Sequence, residues 1–272
     1  MTPPPRVAAD RGAITAAIEE NLFALAPLFA RLPGAETGEG EEGLWSVTSV
    51  AFPFFNSVLA TNAAPERADA AIERVVARAR RKRVPVLWWT GPRTRPSDLG
   101  TRLARHGFEP DEPAPGMALE LARLPARTAS PAGLEIERVQ DGTALAAWVS
   151  AFRAGFGLER ELERPWVDWL LALGLDDRSP FRHYLARLDG EPVGTASVLL
   201  AAGVAGVYNV ATVPAARRRG VGAEATRVAL AAARDQQGVA WSILHSSAMG
   251  VRVYRALGFR EYCRIGIYFW MG

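Results

Sequence analysis

Val207-Tyr208-Asn209-Val210-Ala211-Thr212-Val213-Pro214-Ala215-Ala216-Arg217-Arg218-Arg219-Gly220-Val221-Gly222-Ala223-Glu224-Ala225 is the stretch from which the fold can be read. A β-branched apolar run stops at Pro214, which cannot donate a ladder hydrogen bond. Arg217, Arg218 and Arg219 follow, then Gly220-x-Gly222, then alanine-rich sequence that predicts a helix over 220–236. The glycines permit tight backbone curvature. A helix that starts there turns its free N–H groups and the positive end of its dipole toward the preceding loop. Strand, glycine turn and helix N-terminus together suit a phosphate, and arginines beside them add charged, fork-shaped donors. Without an anion, three arginines at a helix start would oppose the dipole. The run therefore predicts phosphate contact over a solvated charge cluster.

The type of phosphate ligand follows from context. Gly220-x-Gly222-x-x-Ala225 formally fits the dinucleotide fingerprint, but in that motif the first glycine lies directly at the strand end and an acidic residue closes the next strand. Here Pro214 to Arg219 intervene, and the next strand runs into His245-Ser246-Ser247. No G-x-x-x-x-G-K-[ST] occurs either, which excludes a nucleoside-triphosphate P-loop of that type.

The stretch resembles the acetyl-CoA loop of the GNAT superfamily of N-acetyltransferases, (Arg/Gln)-x-x-Gly-x-(Gly/Ala), at every fixed position from Arg217 to Gly222. A second family element follows about thirty residues on. Ser247-Ala248-Met249-Gly250-Val251-Arg252-Val253-Tyr254-Arg255-Ala256-Leu257-Gly258-Phe259 is similar to Asn-x-x-Ala-x-x-Leu-Tyr-x-x-Leu-Gly-Phe. It departs at Ser247, where Asn is usual, and at Gly250, where Ala is usual. The resemblance covers about half the chain closely.

The resemblance implies acetyl-CoA as cosubstrate and a small-molecule or peptide amine as acceptor. Ala211, Thr212 and Val213 would hold the pantetheine along a splayed central strand. The Arg218–Ala223 amides, through Gly220, Val221 and Gly222, would hold the pyrophosphate, with Arg217, Arg218 and Arg219 contacting phosphate. A backbone N–H near the end of the central strand would serve as oxyanion donor. Tyr254 carries over as the acid that protonates the departing thiolate; its other reading is a half-buried aromatic packing on the sheet. Ser247 either caps the last helix or touches the cosubstrate. The implied mechanism is direct attack by the amine, with no covalent enzyme intermediate.

Composition sets outer bounds. The chain has 272 residues, 49% hydrophobic and 22% charged, with formal net charge +3, which is ordinary for a globular protein with a sizeable core. Its basic set is almost all arginine, Lys82 being the single lysine. No basic stripe with interleaved aromatics points to nucleic acid. One cysteine, Cys263, rules out an intramolecular disulfide framework and suits a reducing compartment. The N-terminus has no apolar leader core, and no uninterrupted apolar run is long enough for a membrane span. The expectation is a cytoplasmic protein. His106, His183 and His245 lack ligand spacing, so no metal site is expected.

Hydrophobic periodicity orders the rest. Residues 1–10 are proline-rich and read as loose. A helix is predicted over 11–31, a glycine-rich polar loop over 33–43, strands over 44–50 and 54–61, a helix over Ala68–Lys82, a strand over 84–90, a helix over 98–106 and a strand over 116–122. After a proline-containing linker at 124–132 come a strand, two helices, a hairpin turning at Asp189-Gly190, the central strand, its helix, and a final strand, helix and strand. By resemblance this second order is that of a GNAT domain.

The halves align faintly. Phe55-Asn56-Ser57-Val58 faces Tyr208-Asn209-Val210, 84–90 faces 239–245, and 99–108 faces 250–259. The first half has no glycine from Val58 to Thr90, and Leu103 stands where Tyr254 stands in the second. The expected fold is therefore α+β: two tandem GNAT-like lobes, each a mixed sheet flanked by helices. Residues 1–123 form a degenerate lobe without the loop, 124–132 a linker, and 133–272 the catalytic lobe with the one active site. Weaker candidates are His245 as a base through water, Glu159, Glu161 or Glu163 at the acceptor, and Phe152, Phe156, Trp166 and Trp169 as an apolar acceptor wall or simply as core. The rival to an enzyme is a non-catalytic acyl-CoA-binding or interaction scaffold.

Overall fold

The structure is a computed structural model. It describes residues 10–272; the proline-rich residues 1–9, expected to be loose, lie outside the described residues. The first half runs α1 (Arg11–Phe23), α2 (Ala26–Phe29), β1 (Glu36–Gly40), β2 (Gly43–Val47), β3 (Ser57–Leu59), α3 (Ala68–Lys82), β4 (Val86–Thr90), α4 (Leu99–Arg105), β5 (Glu109–Pro110) and β6 (Ala114–Glu120). The second half runs β7 (Leu134–Arg138), α5 (Gly142–Phe156), α6 (Glu163–Leu173), β8 (Phe181–Leu188), β9 (Glu191–Ala201), β10 (Val204–Thr212), α7 (Val221–Gln237), β11 (Trp241–His245), α8 (Val251–Ala256) and β12 (Arg260–Trp270). The α+β class is as expected.

The compact units do not follow the sequential division at 124–132. One comprises residues through Asn21 together with Met117–Tyr262, and the other comprises Leu22–Gly116 with Cys263–Gly272. Strand pairing explains the exchange of ends. β12 pairs antiparallel with β4, Gly266 opposite Thr90 and Trp270 opposite Val86, whereas β6 lies beside β11. Such pairings are non-local and leave no periodic trace in the sequence.

In the Leu22–Gly116 unit, β1, β2 and β3 are antiparallel neighbours and β3 pairs parallel with β4. The 33–43 segment, read as a loop, contains β1. Its five residues are largely exposed, so its order comes from pairing with β2 and not from its own propensity. Gly38 belongs there because a Cβ would lie 2.6 Å from the Trp45 ring. The helix expected over 11–31 is divided in two, with Pro27 in the first turn of α2, where its missing N–H costs nothing. By length and composition Arg11–Phe29 is apolar enough to cross a membrane, although Glu19 and Glu20 interrupt its apolar run, and half of the stretch is buried inside the protein, as in an ordinary core helix.

Helix α3 buries Ala68, Ala71, Ile72, Val75, Val76 and Ala79, the i, i+3, i+4 stripe of an amphipathic helix. That stripe packs on Val47, Val58, Trp88, Leu103 and Trp270. Beside it Glu42, 3% exposed, accepts from Arg74 (2.9 Å) and Arg78 (2.7 Å). Burial alone would raise this carboxyl, but the hydrogen bonds from Arg74, its own backbone and Arg78 outweigh it and hold it below the usual value. A depressed folded value stabilises above the unfolded pKa, about 4.3, and that contribution is lost as pH falls through the folded value. Glu42→Gln is expected to cost about 1–3 kcal/mol at neutral pH and to flatten the acid limb of the stability curve. Denaturant titrations across pH 2–7 check both.

The Met117–Tyr262 unit carries the sheet order β7-β8-β9-β10-β11-β6. The β8–β9 hairpin turns at Asp189 and Gly190, both at positive φ (52° and 86°), as the sequence predicts. Successive side chains on a strand face opposite ways, and β8 shows the division. Tyr184 packs with Ala229, Leu230 and Ala233 of α7, while His183 meets Trp148 of α5 at 5.1 Å. The N-terminal helix joins this unit through Asn21, which is fully buried and donates to the carbonyls of Leu199 (3.2 Å) and Ala201 (3.0 Å).

Candidate active site

The site begins where two strands part. β10 and β11 pair in parallel only at Ala205–Ser242, Gly206–Ile243 and Val207–Leu244. Beyond Val207, β10 continues against β9 alone, with a bulge between Tyr208 and Ala211. Asn209 sits in that bulge at φ 53°, a conformation Asn tolerates better than most residues. The amide of Val213 donates to Val193 (2.9 Å). By strand alternation the amides of Thr212 and Val210 then turn away from β9, into the gap left by β11.

After β10 the chain turns through Pro214–Ala216, passes Arg218 at φ 61° and Gly220 at φ 85°, and enters α7. The first-turn amides of Val221, Gly222 and Ala223 have no intrahelical acceptor. Gly220 answers a steric demand as well as a conformational one, since a Cβ there would lie 1.9 Å from the carbonyl oxygen of Ala129. The segment expected as a plain linker therefore packs on this loop, and Thr128 also donates to Glu224. Arg217 braces the loop, donating to the carbonyls of Thr212 (3.2 Å) and Gly155 (2.8 Å).

These elements enclose a cleft of about 460 Å³. Val210, Ala211 and Thr212 form one side, and Arg217, Arg218 and Gly220 to Ala223 form the end. Ser247 and Tyr254 lie across from β10. Of the residues picked out in the sequence, Val213 and Arg219 do not line the cleft, and the amide of Val213 is already engaged with Val193. Phe156, a candidate for an apolar acceptor wall, does line the cleft, whereas sequence reasoning missed Gly155, Val210, Ala216, Met249, Gly250 and Val253, which complete the walls. Gly155 is small because α5 crosses β10 closely there: a Cβ would lie 2.7 Å from that of Ala211. A glycine one residue before a helix-end aromatic was the available signal.

Tyr254 is half-buried and borders the cleft, its ring edge-on to Phe259 at 5.8 Å. Burial raises its phenol above the usual value, so it stays protonated at neutral pH. Gly250, a departure from the motif, makes room for it: a Cβ there would lie 2.9 Å from the Tyr254 ring. Ser247 opens the turn into α8, its Oγ accepting from the Gly250 amide at 3.3 Å, and it also lines the cleft. His245 ends β11 outside the cleft lining, and burial lowers it to about 4, so it is neutral at physiological pH. Glu159 and Glu161 are exposed, and Glu163 pairs with Arg153 at 2.6 Å. Phe152, Trp166 and Trp169 are core, whereas Phe156 is 53% exposed at the cleft.

Comparison with known proteins agrees with this geometry. Residues 144–259 match the model of the acetyltransferase (GNAT) family. No curated protein matches the chain significantly. Among solved structures it is similar to a GCN5-related N-acetyltransferase from Kribbella flavida, with TM-score 0.69, 20% identity, and 93% of this chain and 96% of that one covered. A GCN5-related N-acetyltransferase from Sphaerobacter thermophilus gives TM-score 0.60 and 17% identity, with 97% and 94% covered. A tandem GNAT protein of the clavulanic acid biosynthesis pathway gives 0.59 and 14%, with 98% and 97% covered. At these identities the likeness is one of fold.

Proposed function

We propose that the protein transfers an acetyl group from acetyl-CoA to a primary amine, with a single active site in the Met117–Tyr262 unit. The observation that carries this reading is the coincidence, in one cleft, of a stretch of β10 no longer paired with β11, the open first-turn amides of α7 and the phenol of Tyr254. The cleft fits the cosubstrate at two points. The amides of Val221 to Ala223 suit a pyrophosphate, and the bare Cα of Gly222 leaves space toward Val210 and Thr212, whose nearest atoms lie 3.5 and 3.4 Å from a built Cβ.

In this mechanism the residues mainly position, which can supply roughly 7–11 kcal/mol of the barrier. The amine nitrogen bonds to the thioester carbon and the carbon–sulfur bond breaks. The sulfur takes the Tyr254 proton, and the proton released by nitrogen restores the phenol through solvent. Cys263 lies in the other unit and has no part in this direct transfer. The acceptor is a small-molecule or peptide amine, and the setting is the cytoplasm, away from membrane and nucleic acid.

Calorimetric titration with acetyl-CoA tests the reading. One site per chain is expected, because the β3–α3–β4 segment has no glycine loop and Leu103, in the place of Tyr254, is fully buried core. Two sites would overturn the assignment of a degenerate first half. Absence of binding would favour an interaction scaffold.

A further inference from the structure

Asn209 alone among the described residues of β10 has a left-handed backbone, a conformation that costs an L-residue roughly 1–2 kcal/mol. It is held from the neighbouring strand. Thr195 Oγ1 on β9 donates to the Asn209 carbonyl at 2.7 Å. The Asn209 side-chain amide donates to Ser197 Oγ at 3.4 Å, and that hydroxyl lies 2.8 Å from His183 Nδ1 on β8. Thr195 and Ser197 are fully buried and His183 is 1% exposed. The imidazole is fixed between Trp148, at 5.1 Å, and Phe181, at 4.8 Å. None of the three lines the cleft, and none belongs to either sequence motif.

The carbonyl and the side chain of Asn209 are thus each tied to a buried hydroxyl, and the next amide along, that of Val210, shares a peptide with that carbonyl and by strand alternation faces the gap. We propose that Thr195, Ser197 and His183 are positioning residues, locking the Asn209 bulge so that the Val210 amide is aimed at the thioester carbonyl. This rests on the reading of the cleft as an acetyl-CoA site. Preorganised donors act through fixed geometry in a water-poor site, and loss of one costs about 10²–10³ in turnover. An amide that wanders would forfeit much of that while the pyrophosphate end, held by α7, still binds.

The test needs no acceptor. Acetyl-CoA labelled with ¹³C at the carbonyl is bound to the full-length protein, and its carbonyl stretch is read by difference infrared spectroscopy beside a calorimetric Kd. Wild type is expected to shift the stretch to lower frequency. Thr195→Val is expected to abolish that shift with Kd within about threefold, or 0.65 kcal/mol, and Thr195→Ser to restore it. Ser197→Ala breaks the chain independently from the His183 side and is expected to weaken the shift. A shift that survives both Thr195→Val and Ser197→Ala overturns the proposal. So does failure of Thr195→Ser to restore it, or loss of shift and affinity in parallel, which would mark a structural role only. Wild type that binds without a shift overturns the proposal and leaves the cosubstrate reading standing; wild type that does not bind overturns both.

Discussion

Tyr254→Phe is expected to lower turnover by about 10²–10⁴-fold, the usual worth of a positioned general acid, with the affinity for acetyl-CoA unchanged. The variant keeps the ring, so the edge-on contact with Phe259 and the packing against the α7 core persist, and only the hydroxyl is lost. A thiol has a pKa of about 8.5 and a free phenol about 10, and burial raises Tyr254 further. The acid form therefore prevails throughout the neutral range. Sign and window follow: the pH–rate profile has no falling limb from this group below the ordinary tyrosine value. Steady-state rates with an amine found by screening, set beside calorimetric Kd values, check the prediction. Equal turnover in the two proteins would remove Tyr254 as the acid. A wild type that binds acetyl-CoA and acetylates no amine would favour the scaffold.

Gly222→Leu is expected to weaken acetyl-CoA binding at least about 100-fold, near 2.7 kcal/mol, while leaving the fold intact. The first added carbon meets only ordinary contacts, Thr212 Oγ1 at 3.4 Å and Val210 Cγ1 at 3.5 Å. The remaining carbons then occupy the space between α7 and β10. Gly220 is a different case. Its φ of 85° and the Ala129 carbonyl 1.9 Å from a built Cβ mean that a side chain there disturbs the loop itself. The two glycines of one motif thus separate: Gly220 shapes the backbone, and Gly222 keeps room for a ligand. Thermal melts and calorimetry on Gly222→Leu distinguish the effects. Full affinity would mean that the cosubstrate does not pass between Gly222 and β10.

Local chemistry was readable. Helices α3 and α5, strands β7 and β12 and the Asp189-Gly190 turn fall where periodicity and turn residues put them, because each depends on neighbours within a few positions. The loop at Arg217 to Ala223 was readable for the same reason, since Pro214 ends a strand and Gly220 starts a helix. Segments whose order is borrowed were not readable. β1 is a strand only because β2 lies beside it, and residues 124–132 are more than a linker because Ala129 meets Gly220. Arg217, picked out for phosphate, spends its guanidinium on Thr212 and Gly155.

By itself the sequence determined most of the helices and strands and the anion-suited helix start, carried by short-range rules of backbone and side chain. Only the tertiary structure decided which strand closes which sheet, where β10 leaves β11, and that Asn209 is held by Thr195 and Ser197. Those are pairings between positions 12 to 184 residues apart. Their energies depend on burial and register that no local window contains.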